Sequence, residues 1–226
     1  MRATLLSPIL FLSAFLLLAA AFAPAHAQRA ALPGLTEGVE YRLIEGGKPY
    51  RAVPGKIEVA EVFAYTCSHC AKFAPMLEAW KRNLPKNAQL VYVPAAFDTS
   101  NPYARFYFAA DAAKALPVLH SRLFAAIHAT GELAPAANLP QIAAWAARVP
   151  GVNANALASA LKDSKALDAK MQQAHDFAVR SQIPGTPALV IDGRYLVLGN
   201  SYQSLLDNAN RILKAIAPAT KQPAAK

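Results

Sequence analysis

The run Ile57 to Tyr65, IEVAEVFAY, limits the fold more than any other stretch of this chain. It is apolar and carries β-branched residues, as expected of a central strand covered on both faces. A helical pattern follows directly. Phe73, Met76, Leu77, Trp80 and Leu84 share one face, with Lys72, Lys81 and Arg82 elsewhere. Pro75 lies inside that helix and has no N–H for the carbonyl of Ala71, so a kink is expected. Leu90 to Val93 returns to strand. Strand, helix and strand in that order imply a right-handed parallel crossover.

The flanking segments extend this frame. Val39 to Ile44 (VEYRLI) alternates like an edge strand and is ended by Gly46-Gly47. From Asn101 to about Ser181 the chain reads as wholly helical, with breaks near Pro117, at Thr130-Gly131, near Pro140 and at Pro150-Gly151. Its longest piece starts at Asn153, a good N-cap, and keeps the stripe Leu157, Leu161, Leu167, Met171, Ala174 and Ala178. Ala188 to Ile191 and Tyr195 to Leu198 are strands joined by Asp192-Gly193, the pair that favours a two-residue hairpin. Asn200 or Ser201 caps a last helix with the stripe Leu205, Leu206, Ile212, Leu213 and Ile216. The expected class is α/β: a mixed central sheet flanked by helices, with an all-helical insertion over 101–181 between sheet-bearing parts 28–100 and 182–217. Gln28 to Thr36 reads as a loose leader and 218–226 as a frayed tail.

Met1 to Ala27 reads as an export signal: Arg2 is the positive start, Ile9 to Phe22 the apolar region, and Ala25-His26-Ala27 the cleavage site. An uncleaved anchor is the competing reading, because the uncharged run nearly reaches the roughly 20 residues that span a bilayer. The small-x-small site and the shift to QRAALPGL favour cleavage. Beyond Ala27 no stretch is long and apolar enough to span a membrane, so an exported protein in an oxidising compartment is expected. The formal charge of +9 arises from singly scattered lysines and arginines. Without a basic run, and after export, nucleic acid is not an expected partner.

Cys67 and Cys70, in FAYTCSHCAKFAP, are the only two cysteines. A bridge between them closes almost no loop, so it contributes little by restricting the unfolded chain, and the pair must be there for its chemistry. Cys67 falls where the central strand ends and the helix begins. Unpaired N–H groups and the helix dipole favour a thiolate there. His69 adds to this if it is protonated or turns an N–H to the sulfur. Stabilising the dithiol makes the disulfide a stronger oxidant, by roughly 30 mV per 1.4 kcal/mol. Cys70, one turn into the helix, is the expected resolving thiol. A c-type haem needs histidine after the second cysteine, where Ala71 stands, and a structural zinc site needs a second cysteine pair. Copper(I) on Cys67, Cys70 and a remote histidine stays open.

With C-S-H-C-A-K-F-A-P opening a helix, the chain resembles the thioredoxin superfamily. Histidine as the third residue of the motif, the export signal and the helical insertion together make it similar to the DsbA family of periplasmic thiol:disulfide oxidases. The resemblance covers essentially all of the mature chain. It implies a thioredoxin fold, an exposed nucleophile at Cys67, a buried partner at Cys70, and a cis-proline loop matching Ile183-Pro184-Gly185-Thr186-Pro187, with Pro187 as the cis residue. The segment before Pro187 would pair with an extended substrate backbone. It also implies a monomer in the periplasm, unfolded exported polypeptides as substrates, a DsbB-like quinone-linked membrane protein as reoxidant, and no cofactor or metal. Thr186 stands where many such oxidases carry valine, and threonine is found in the related isomerases. Those, however, have a long dimerisation region before the motif, and only Gln28 to Thr66 precede Cys67 here. Oxidation is therefore the expected direction, with isomerase or reductase as the alternative.

Glu61 shares strand parity with Ile57, Val59 and Phe63, so its carboxyl should be desolvated and hold its proton. In superfamily relatives an acid six residues before the nucleophile lies beneath the inner cysteine and moves its proton. Glu58 has the opposite parity, near the strand start, and is expected to be solvated. Ser68 is expected to cap the helix. His120, His128 and His175, without metal spacing, read as plain structure, as do Tyr103, Phe106, Tyr107, Phe108, Trp80 and Trp145.

Overall fold

The computed structural model describes residues 31–217. The signal read at Met1 to Ala27 and the tail from 218 lie outside the described residues. The elements run β1 (Tyr41–Leu43), β2 (Ile57–Phe63), α1 (Ser68–Lys81), β3 (Ala88–Pro94), α2 (Pro102–Ala112), α3 (Leu116–His128), α4 (Leu139–Ala146), α5 (Ala154–Lys162), α6 (Ser164–Arg180), β4 (Ala188–Ile191), β5 (Tyr195–Val197) and α7 (Tyr202–Ile216).

The strands form one sheet in the order β1-β5-β4-β2-β3. β2 pairs parallel with β3, from Ile57↔Ala88 to Phe63↔Pro94, and antiparallel with β4, from Val59↔Ile191 to Val62↔Ala188. It is thus the interior strand its apolar run requires, and Val59, Ala60, Val62 and Phe63 are fully buried. Alternation sends Ala60 and Val62 into a core shared with Phe106, Leu119, Leu123, Met171 and Phe177 of the insertion helices. It sends Val59 the other way, into a second core with Phe73 and Leu77 of α1 and with Leu206 and Ile212 of α7. Each of these valine, leucine, isoleucine, methionine and phenylalanine side chains contributes roughly 1.5–3 kcal/mol by leaving water. Two independent apolar layers therefore clamp β2, and with it the turn that follows.

The hairpin turns at Asp192-Gly193, both with positive φ (52° and 65°), but Ile191 pairs with Tyr195, so three residues, Asp192 to Arg194, stand between the strands where two were expected. A Cβ at Gly193 would lie 2.0 Å from the Lys48 carbonyl carbon, so this loop also needs glycine for close approach. Ser201 caps α7, exchanging hydrogen bonds with Ser204 in a capping box. Among the described residues no helix is long and apolar enough to cross a membrane.

Four further expectations are corrected. The helix from Asn153 is two helices, parted at Asp163, which ends α5 and whose side chain accepts the Ala166 N–H at 3.1 Å to start α6. The leader is not loose throughout: Leu32 and Leu35 are buried in the α7-side core, and Arg211 donates to the Gly34 carbonyl at 2.5 Å. The first strand is shorter than its alternation, since Val39 is 62% exposed and lies outside β1. Glu58 is buried, not solvated, because its carboxylate accepts the N–H groups of Tyr50 and Arg51, both at 2.6 Å. Burial still leaves that carboxyl above the usual range.

Candidate active site

β2 delivers the chain to Ala64, whose carbonyl accepts the Cys67 N–H at 3.1 Å. This turn ends with Cys67 extended (φ −83°, ψ 115°) as the N-cap of α1. The cap is therefore the cysteine itself, not Ser68, which is the exposed first residue of the helix. The Cys67 sulfur occupies the place a serine oxygen would take and accepts the Cys70 N–H at 3.4 Å.

The thiol faces Thr186, donating to its carbonyl at 3.3 Å, and the Thr186–Pro187 peptide bond is cis. Partial burial raises the tendency of this thiol to keep its proton. It is outweighed by hydrogen bonds that favour thiolate, from the Thr186 side chain, the Cys70 N–H and thiol, and the His69 N–H, so the pKa lies below the ordinary value. Cys70 differs. It is a free, fully buried thiol, and burial pushes its pKa well above the ordinary value. One sulfur of the pair is prepared as thiolate and the other as thiol.

His69 acts on the sulfur through its backbone N–H. Its exposed ring instead hydrogen-bonds through Nδ1 with the Tyr202 hydroxyl, at 2.9 Å. The Tyr202 ring lies against Phe73, with centroids 5.4 Å apart.

Glu61 is 2% exposed and registers opposite Tyr92 on β3 and Leu189 on β4. Burial first, then the charges of Glu78 and Cys67, push its carboxyl up to about 8. The sulfur whose charge it feels is that of Cys67. Tyr92 donates a hydrogen bond to Glu78, which also pairs with Lys81 at 3.6 Å.

Beside Ser68 opens a groove of about 1160 Å³ between α1 and α3, with Lys72, Pro75 and Glu78 on one wall and Leu116, His120 and Phe124 on the other. The aromatic segment of α2 is buried, as expected, with Tyr107 donating to the Tyr92 carbonyl at 3.2 Å. Trp80 donates to Asn210 and Trp145 to Glu132, so both indoles are anchored.

The three insertion histidines are more connected than their spacing suggested. His120 and the Tyr65 hydroxyl are hydrogen-bonded at 2.8 Å, His128 donates to the Tyr65 carbonyl at 2.7 Å, and His175 donates to the Ala96 carbonyl at 2.9 Å. Nothing local in the sequence marks these pairs, which join residues more than fifty positions apart. Among the described residues no group of three or more His, Cys, Asp or Glu side chains converges to hold a metal ion.

The family model described as Thioredoxin matches residues 55–208. A thiol:disulfide interchange protein DsbA from Bordetella parapertussis is 36% identical over 165 residues, spanning 71% of this chain and 77% of that protein. One from Pseudomonas aeruginosa is 31% identical over 187 residues, 82% and 84% of the two chains. Among solved structures, the oxidoreductase DsbA from Xylella fastidiosa matches with a TM-score of 0.74 at 31% identity, covering 81% of this chain and 97% of that one.

Proposed function

We propose how the site works from the premise that this chain belongs to the DsbA family of thiol:disulfide interchange proteins, on the thioredoxin fold, and is a thiol:disulfide oxidoreductase. The observation that carries the proposal is the asymmetry of the pair: an N-cap sulfur favoured as thiolate beside a buried sulfur favoured as thiol.

In the oxidised protein Cys67 and Cys70 share a disulfide. A thiolate of an unfolded exported polypeptide attacks the Cys67 sulfur, forming a mixed disulfide as the Cys67–Cys70 bond breaks. Both bonding electrons leave with Cys70, whose burial demands a proton. Glu61, a buried acid still protonated near neutral pH because its pKa is about 8, supplies it. A second substrate thiolate then attacks the substrate's own sulfur, closing the product disulfide and releasing Cys67 as thiolate. The protein gains two electrons and the substrate loses two. The substrate backbone pairs beside Thr186 and Pro187 during this exchange, with Ser68 and His69 at its edge. Return to the disulfide requires an oxidant, for which a quinone-linked membrane protein of the DsbB kind fits the chemistry. A monomer, released into the periplasm by cleavage after Ala27 and carrying residues 101–181 as a helical subdomain, completes the proposal.

Regain of activity by reduced, unfolded ribonuclease tests the direction of exchange. Stoichiometric oxidised protein should restore it, and Cys67→Ser and Cys70→Ser should each abolish the effect because neither can hold the disulfide. Cys70→Ser should instead accumulate a mixed disulfide with scrambled ribonuclease, whose own disulfide its Cys67 thiolate attacks. If the protein rescues scrambled but not reduced ribonuclease, the isomerase reading that Thr186 raises replaces this one.

A further inference from the structure

We propose that His120 and His128, both on α3, are positioning residues for the reactive cysteine, acting through Tyr65. The inference rests on the reading of Cys67 as the nucleophile.

Tyr65 stands two residues before Cys67 and is 2% exposed. One helix of the insertion holds it at both ends. Its hydroxyl is hydrogen-bonded to Nδ1 of His120 at 2.8 Å, and its carbonyl accepts Nε2–H of His128 at 2.7 Å. The two histidines are eight positions apart, a little over two helical turns, so they project from one face of α3.

The main-chain bond is the sharper of the two. A peptide unit is planar, so fixing the Tyr65 carbonyl also fixes the N–H of Thr66, immediately before the nucleophile. On the other side of that unit, the Ala64 carbonyl accepts the Cys67 N–H at 3.1 Å. The turn that aims the sulfur is thus braced from the sheet side by β2 and from the insertion side by α3. The side-chain bond is directional too. The ring of Tyr65 packs on Phe124 with centroids 5.0 Å apart and on His120 at 5.4 Å, and a phenylalanine would fill that space equally well. The hydroxyl adds an orientation that packing alone does not require. Burial keeps His120 neutral, its pKa lowered to about 4, so the hydrogen bond with the phenol persists at ordinary pH.

A loosened turn would lower the oxidising power of the pair. The N–H groups of His69 and Cys70 favour thiolate only while they point at the sulfur. If the turn drifts, the dithiol state loses that support and the disulfide becomes harder to give away.

The test uses the full chain and three variants: His128→Leu, which removes the donor; His128→Gln, which keeps an N–H; and Tyr65→Phe, which keeps the ring. Each is equilibrated with a glutathione buffer, and its urea midpoint is measured alongside. In His128→Leu and Tyr65→Phe the dithiol–disulfide equilibrium should shift toward disulfide on the order of fivefold, the worth of one ordinary hydrogen bond. His128→Gln should recover most of that shift. If the urea midpoints fall while the equilibrium is unmoved, the histidines only hold the fold and the proposal is overturned. Should His128→Leu fail to fold, Tyr65→Phe decides alone. A parent protein whose Cys67 titrates as an ordinary cysteine would overturn this proposal and the nucleophile reading together, whereas a low-titrating parent with unresponsive variants overturns only this one.

Discussion

At Glu61 a single carboxyl sets a pH dependence for the whole fold. Its folded pKa, about 8, lies above the unfolded value near 4.5. Between those values the unfolded chain is ionised there while the folded chain holds the proton, so the folded state binds more protons and stability falls as pH rises from 4.5 to 8. At about 1.4 kcal/mol per unit, this one group accounts for several kcal/mol across the window. Glu61→Gln removes the ionisable proton and keeps the shape. Urea unfolding of that variant should show a flatter loss of stability between pH 5 and pH 8 than the parent, and an unchanged slope would contradict the assignment. His120 works in the opposite sense. Its folded pKa, about 4, lies below the unfolded 6.5, so the stability it contributes is present above pH 6.5 and is lost as pH falls from there to 4.

Among the elements, α6 leads from the insertion back to the sheet and to the loop carrying Thr186. Its start is fixed by Asp163, whose side chain takes the Ala166 N–H. Asp163→Ala should cost about 1 kcal/mol, the usual worth of an N-cap, measured as a lowered urea midpoint. The redox equilibrium should be unmoved, because the cap is exposed and its hydrogen bond stays within the first turn of α6. Asp163 also shows where sequence reading stops. The apolar stripe from Leu157 to Ala178 keeps helical spacing across the break, because two helices packing on the same core satisfy one pattern. Elements with a local signature were legible: the doubly covered β2, the Asp192-Gly193 hairpin, the strand-to-helix junction at Cys67. Glu58 was misread because its partners, the N–H groups of Tyr50 and Arg51, come from a loop that no periodicity describes. Tyr202 beside His69 and His128 beside Tyr65 went unseen for the same reason. Each is a contact made by tertiary folding between distant, unpatterned residues.

For the whole molecule, the asymmetry at the cysteines becomes a difference in stability between two redox forms. The Cys67 pKa is held below the ordinary thiol value of 9.0. The stability this gives the reduced protein is therefore fully present above that value and is lost as pH falls through the folded pKa. A bridge across C-x-x-C restricts the unfolded chain very little, so the oxidised form gains almost nothing in return. Reduced protein should need more urea to unfold than oxidised protein at pH 9, with the gap narrowing as pH falls, and the reverse order at pH 9 would exclude a strongly oxidising disulfide. The N-cap role of Cys67 carries one further result. In the proposed reaction, the atom that exchanges partners is also the stop that finishes the backbone ladder of α1. Once bonded to a substrate sulfur it carries no charge and is a poorer acceptor, so the helix loses its end-stop once in every cycle. The amide of Cys70 should then trade its proton with solvent faster in a trapped covalent complex than in the resting dithiol, a tick of the reaction that nuclear magnetic resonance can count.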